Sequence, residues 1–296
     1  MERVLVTGGA GFIGSHVVDK LRARGLAVTI YDRFAPEVRR DDVRVILGDV
    51  KSREGLMTAI GEHDGVIHLA AILGTQETVN HAGLVVEVNI LGSLSVFDAC
   101  RQFGIRGVYI AVGNHWMNNP YSITKTAAER FALMYNREFG TKIAVVRGLN
   151  AYGPRQKARP VRKVVPNFIL PALRGEEIVI YGSGNQIMDV VYVEDVAEIL
   201  VRALVMNHGA YDRIIEAGMG LDTTINQLAA VVIKETGSSS SIRHVPMRPG
   251  EIPDSVVKAK VETLRCVDFG PENLTSIDEG LKRTIAYYRD RAKAGR

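Results

Sequence analysis

The sequence predicts an α/β protein: a doubly wound parallel sheet with helices on both faces, followed by a smaller, mixed α/β C-terminal subdomain. Three observations support this. Short β-branched runs alternate with amphipathic stretches through the first half of the chain, the pattern of a parallel sheet covered on both sides. A glycine-rich turn joins the first run to the first helix. After Gly148 the alternation gives way to a loop-rich segment holding Pro154, Pro160, Pro166 and Pro171.

Taken in order, RVLVTG is the first strand and a helix starts near Phe12. AVTIYD, VRVILGD and GVIHLAA are further strands, and a long helix covers about 84–103. GVYIAV, a helix from Pro120, and KIAVVRG complete residues 1–148, the expected first domain. Residues 149–296 are expected to be mainly a second, ligand-binding subdomain, with strands near 190–216 returning to the main sheet. There, EIVIYGSG and RIIEAG are strands and DVVYVEDVAEILVRALV is a strand flowing into a helix. Helices follow at 224–236 and 276–293, with RHVPMRPGE between them.

Composition excludes several classes. Hydrophobic residues make up 46% and charged residues 24% of the 296, ordinary for a globular protein. No stretch looks like the ~20 apolar residues of a membrane span, and the N-terminus has no signal-peptide layout, so the cytoplasm and no membrane partner are expected. Cys100 and Cys266 lack a metal-like or CxxC spacing; they read as core residues, and no metal is expected. The net charge of +4 is spread along the chain without a nucleic-acid-binding motif, so nucleic acid is not an expected partner. One basic cluster, RQKARPVRK, holds Arg155, Lys157, Arg159, Arg162 and Lys163 with no acid, and is either solvated or turned toward an anion.

LVTGGAGFIGSH places Gly8, Gly9, Gly11 and Gly14 between strand and helix, with Phe12 and Ile13 opening the helix. Glycines let the backbone turn tightly, admit a pyrophosphate and pack the helix close to the strand. The helix N-terminus then offers unpaired N–H donors to the anion. Asp32 closes the second strand 18 residues after Gly14. An acid there bonds the adenosine ribose hydroxyls and repels a 2′-phosphate, so NAD is favoured over NADP, a preference that the adjacent Arg33 softens. The first domain is thus of the Rossmann type.

In NNPYSITKTAAERFALMYNREFG, Asn119 suits an N-cap, Pro120 the first helical position and Gly140 the C-terminal stop,. Tyr121 and Lys125 fall at i and i+4 on one face. A tyrosine ionises near 10, so serving as a base near neutrality requires about 4 kcal/mol of help. The lysine, a positive nicotinamide and the helix N-terminus all act in that direction.

At this point the chain resembles the extended short-chain dehydrogenase/reductase family of nucleotide-sugar epimerases and dehydratases, of the UDP-galactose 4-epimerase type. The resemblance runs nearly end to end, through TGGAGFIGSH, Asp32, GDV, HLAA, VNILGSLSVFDAC, PYSITK, VRGLNAYGPRQ, VPNFILPALRGEEIVIYGSG, DVVYVEDVAEIL and RPGE. It implies that Asp49 and Val50 sit by the adenine, that Leu69 and Ala70 line the cofactor cleft and that Asn89 supports it. Tyr121 would be the base that takes a sugar hydroxyl proton, and Lys125 would lower its pKa and hold the nicotinamide ribose. Asn150, Asn167 and Arg248 would grip the nucleotide diphosphate of the sugar. A homodimer through the helices near 84–103 and 120–139 is implied as well.

Three departures stand out against that pattern. The fifth strand ends in Ala111, Val112 and Gly113, where the family places a serine or threonine, often followed by an acid. The segment leading to Tyr121 is shorter than the family norm by over a dozen residues. Thr75, Asn114, His115, Asn118, Ser122 and Thr124 are candidates to replace the missing hydroxyl. Met188 stands where an arginine usually pairs with the diphosphate, a loss that the basic run 155–163 is expected to offset. The implied activity is an NAD-dependent nucleotide-sugar epimerase working by transient C4 oxidation through a Tyr/Lys dyad without the usual Ser/Thr. The alternatives are a dehydratase or keto-sugar reductase of the same family, and a weakly catalytic or non-catalytic NAD-binding sensor.

Overall fold

The computed structural model describes residues 1–207 and 209–293. The chain runs β1 (Arg3–Thr7), α1 (Phe12–Ala23), β2 (Ala27–Asp32), β3 (Arg44–Leu47), α2 (Arg53–Gly61), β4 (Gly65–His68), α3 (Ala82–Val86), α4 (Gly92–Phe103), β5 (Arg106–Val112), α5 (Pro120–Phe139) and β6 (Lys142–Gly148). It continues through β7 (Asn150–Tyr152), α6 (Val164–Arg174), β8 (Ile178–Tyr181), β9 (Ile187–Met188), β10 (Val190–Tyr192), α7 (Val193–Val205), β11 (Ile214–Ala217), α8 (Ile225–Thr236), β12 (Ile242–Val245), β13 (Val256–Val257) and α9 (Ile277–Lys293).

Seven strands form one sheet in the order β11-β6-β5-β4-β1-β2-β3, and every pairing in it is parallel. Because both faces are covered, β1 is apolar almost throughout. Alternation sends Val4 and Val6 into the core shared with Val17, Leu21 and Leu200, and sends Leu5 to the opposite face with Leu56, Phe97 and Tyr109,. The chain builds β1 to β3 outward in one direction, then returns to place β4 on the other side of β1. That reversal opens a crevice beyond the carboxyl ends of β1 and β4, where such sheets bind ligands. A third core, with Phe168, Ile180, Leu228 and Leu281, holds the C-terminal elements together.

Four expectations change. The proline-rich segment contains α6: Pro166 sits in its first turn, where a missing N–H is tolerated, and burial of Phe168 and Ile169 outweighs the broken bond at Pro171. Of the later strands, β11 joins the main sheet, whereas β10 pairs with β7 outside it. The long helix near 84–103 is interrupted by a π turn over Glu87–Leu91, which directs Asn89 inward. Finally, Val79–Phe103 is long and apolar enough to cross a membrane, with mean hydropathy 1.5, yet 56% of its apolar window is buried inside the protein. The apolarity serves packing against the sheet and the neighbouring helices.

Candidate active site

A cleft of about 830 Å³ follows the crevice, lined at one end by the glycine-rich turn and at the other by the 159–168 and 247–257 segments. At the first end, Gly8 adopts φ 72 and lies so close to β4 that a Cβ would stand 2.7 Å from the Ala70 nitrogen. A Cβ on Gly14 would meet the Gly8 carbonyl oxygen at 2.2 Å, so α1 can approach the turn only with glycine there. Gly11, the residue before α1, offers no side-chain cap, which leaves first-turn N–H donors at the cleft wall beside Phe12 and Ile13. Asp32 is held by the amides of Ala10 (3.0 Å) and Phe34 (3.2 Å) and lines the cleft with Arg33, Asp49, Val50, Leu69 and Ala70. Arg33 contacts Asp49 at 3.6 Å. Uncapped donors for a pyrophosphate and a carboxylate at the end of β2 together fit a dinucleotide. Asn89 lies behind this wall, bonding both backbone groups of Ile72 at 2.8 and 3.1 Å.

The middle of the cleft is formed by the end of β5 and the start of α5. Asn119 caps α5 by accepting from the Ser122 amide at 2.9 Å, and Gly140 ends it in the left-handed conformation. Tyr121 and Lys125 both line the cleft, one turn apart. Burial governs their protonation in the free chain. It pushes the Tyr121 hydroxyl up to about 12 and draws Lys125 down to about 7 against the pull of Glu129. In the free chain, without the positive nicotinamide on which the expected lowering of the tyrosine also relies, desolvation disfavours both charged forms. Lys125 stands over the Tyr109 ring at 4.1 Å.

The substitutes for the missing hydroxyl separate clearly. Asn114 and Thr75 reach the cleft wall. His115 and Asn118 are not part of that wall; the His115 ring contacts the Gly113 carbonyl at 3.1 Å. Ser122 and Thr124 are buried in the packing of α5, and the Thr124 hydroxyl donates to the Pro120 carbonyl at 2.7 Å. Both are therefore withdrawn as substitutes, their side chains being turned into the protein by helical periodicity.

Asn150, Asn167, Arg248 and Met188 all line the cleft. The basic run divides. Arg155 bonds Asp19 at 2.7 Å and Lys157 pairs with Glu37, so both hold the fold. Arg159, Arg162 and Lys163 line the cleft, and Arg159 has no ion pair or hydrogen bond among the described residues. Thr75 donates to Glu251 at 3.0 Å, and Glu251 also pairs with Arg248, whose Nε is buried without a partner. Sequence reasoning missed Tyr181, Gln186 and Glu251 in this wall; only their closeness to predicted site residues in sequence could have suggested them.

A Rossmann sheet with an uncapped glycine turn at its switch point, joined to a second half facing the same cleft, defines a dinucleotide-binding protein. The profile of the NAD dependent epimerase/dehydratase family matches residues 4–117 and 116–218, and the chain belongs to this family. It is 31% identical to a UDP-N-acetyl-alpha-D-glucosaminuronate decarboxylase of Bacillus cytotoxicus, over 98% of each chain. A putative UDP-glucose 4-epimerase of Methanocaldococcus jannaschii is 28% identical, over 97% of this chain and 98% of the relative. Among solved structures, UDP-glucose 4-epimerase of Thermotoga maritima with UDP-glucose superposes with a TM-score of 0.90 at 30% identity, covering 98% of this chain and 99% of that one. The Thermus thermophilus UDP-glucose 4-epimerase, in complex with NAD, gives 0.85 at 31% identity, covering 97% and 99%.

Proposed function

We propose that the protein is an NAD-dependent nucleotide-sugar 4-epimerase whose proton carrier is Tyr121. The observation that carries this reading is the placing of Tyr121 and Lys125 together on the cleft wall, beside a β5 end, Ala111–Gly113, that supplies neither hydroxyl nor acid. Epimerisation needs one group that takes the 4-hydroxyl proton and later returns it. Elimination of water needs a further acid, which this strand end lacks. NAD, held by the glycine turn, Asp32 and Lys125, supplies the hydride acceptor and donor together with a positive ring that favours tyrosinate. Tyr121 Oη accepts the proton, and Lys125, one turn along α5, stabilises the resulting charge,. Arg248, Arg159, Arg162 and Lys163 bind the diphosphate and keep the sugar against Tyr121, in place of the missing cation at Met188.

Decarboxylation of a uronic-acid nucleotide is a second reading, supported by the unpartnered cation Arg159 and the decarboxylase relative. It uses the same oxidation: a 4-keto sugar bearing a 5-carboxylate is a β-keto acid that loses carbon dioxide to leave an enolate, which would take a proton from water at C5 before hydride returns to C4. A homodimer is proposed through α3 to α5, where Leu84, Leu91, Ile123, Phe131 and Phe139 are exposed. Proton NMR of the protein with NAD and a panel of UDP-, dTDP- and GDP-hexoses, with UDP-glucuronate included, tests the assignment. A C4-epimer anomeric signal that Tyr121→Phe abolishes supports epimerisation. A pentose signal with carbon dioxide release transfers the assignment to decarboxylation, and an unchanged rate in Tyr121→Phe removes the tyrosine from the chemistry.

A further inference from the structure

Tyr121, Lys125 and Glu129 follow one another at single-turn spacing along α5,. Glu129 is buried and receives two bonds from Arg147, at 2.8 Å from Nε and 2.7 Å from Nη2. Arg147 gives a third, from Nη1, to Glu216 at 3.1 Å. The sheet register builds this row: Arg147 on β6 is directly opposite Ala111 on β5 and Glu216 on β11, so the three side chains leave the same face of the sheet, toward α5. The second oxygen of Glu216 accepts from the Lys260 amide at 2.8 Å. Side-chain exposures are 4% for Glu129 and 12% for each of Arg147 and Glu216.

Two carboxylates and one guanidinium leave this buried row with a net charge of −1. Removing charge from water is costly unless the region is balanced, and Lys125, 2% exposed, supplies the balancing cation one turn from Glu129. The other groups facing Lys125 are uncharged near neutrality. Tyr109 on β5 presents its ring and donates its hydroxyl to the Lys125 carbonyl at 3.0 Å. His68 on β4 is held between Thr7 and Ser93, at 2.6 and 3.0 Å, and burial lowers it to about 3. Tyr121 shares the helix. Without a charge on Glu216, the Arg147–Glu129 pair would be neutral overall, and less would oppose the desolvation of the ammonium.

We propose that Glu216, acting through Arg147 and Glu129, is a positioning residue that keeps Lys125 charged and so sets the pH range in which the Tyr/Lys pair works. A carboxylate on the edge strand of the sheet thereby tunes a group on the cleft wall without touching the ligand. The inference rests on the Tyr121/Lys125 reading above for its functional consequence, while the charge coupling itself belongs to the free chain.

The test uses Glu216→Gln, which keeps the acceptor for the Lys260 amide and removes the charge. Cofactor-free protein labelled at lysine Cε is titrated by NMR, with the Lys125 signal assigned by its loss in Lys125→Met. The wild-type midpoint is expected near 7; in Glu216→Gln it moves to lower pH, by less than the roughly 1–3 units that an opposite charge in direct reach produces. Glu216→Asp restores the wild-type midpoint. The alkaline limb of the kcat/KM profile moves to lower pH by the same amount. If Glu216→Gln does not fold, Glu129→Gln gives the same reading, with a larger shift. An unmoved Lys125 midpoint in a folded variant overturns the proposal. A shifted midpoint in a protein that turns over no nucleotide sugar keeps the coupling and rejects the epimerase reading, so the two failures are distinguishable.

Discussion

Asn119 joins the candidate active site to the loop that holds Arg248, and its two halves can be separated by substitution. The residue is 1% exposed. Its Oδ1 accepts from the Ser122 amide at 2.9 Å, capping α5, while its Nδ2 donates to the Gly250 carbonyl at 3.3 Å. Asn119→Ala removes both bonds. Loss of an N-cap costs about 1 kcal/mol, and loss of a long neutral bond at a partly buried carbonyl adds about 0.5–1 kcal/mol, so about 2 kcal/mol is expected. Asn119→Ser keeps a side-chain oxygen that can cap α5 and is too short to reach the Gly250 carbonyl, so it loses only the tether. Urea unfolding of the cofactor-free protein, followed by circular dichroism, should place Asn119→Ser within about 1 kcal/mol of wild type and Asn119→Ala clearly below both. Nucleotide affinity should weaken in both variants, because each releases the Arg248 loop. Equal stability losses in the two variants would refute the division into cap and tether.

Lys125→Met should stabilise the cofactor-free protein at pH 6 and lose that advantage as the pH approaches 10. Lys125 binds its proton more weakly when folded, at about 7, than when unfolded, so the unfolded chain holds more protons between these values and wild-type stability rises with pH across that window. Thermal scans that show the same pH slope in both proteins would contradict this. Gly8→Ala places a Cβ at φ 72, 2.7 Å from the Ala70 nitrogen, and should abolish NAD binding measured by equilibrium dialysis; retention of wild-type affinity would show that the turn relaxes. Charge removal in Arg159→Ala and Arg162→Ala should each weaken UDP-sugar binding by about tenfold, the loss of roughly one charge-assisted bond. Unchanged affinity in the double variant, by calorimetry, would reject the role of the 155–163 run in replacing the missing cation at Met188.

Local chemistry made a large part of this protein legible from its sequence. The period of the β-branched runs announced a parallel sheet, because strands buried on both faces must be apolar throughout. Glycines at 8, 11 and 14, an acid at 32 and a capped helix with Tyr121 and Lys125 marked the cleft, because each depends on backbone geometry or spacing within a few residues. What depends on partners distant in sequence had no local signature. The burial of Phe168 and Ile169 turned a proline-rich stretch into α6. Helix orientation withdrew Ser122 and Thr124 from the cleft, and ion pairing with Asp19 and Glu37 withdrew Arg155 and Lys157 from the basic run while leaving Arg159 at the wall. The charge row from Glu216 to Lys125 exists only because sheet register sets Arg147 beside Glu216 and the packing of α5 on the sheet brings Glu129 to Arg147. The sequence alone determined which residues can do chemistry here; the tertiary structure decided which of them meet, because desolvation and pairing depend on neighbours that only folding assembles.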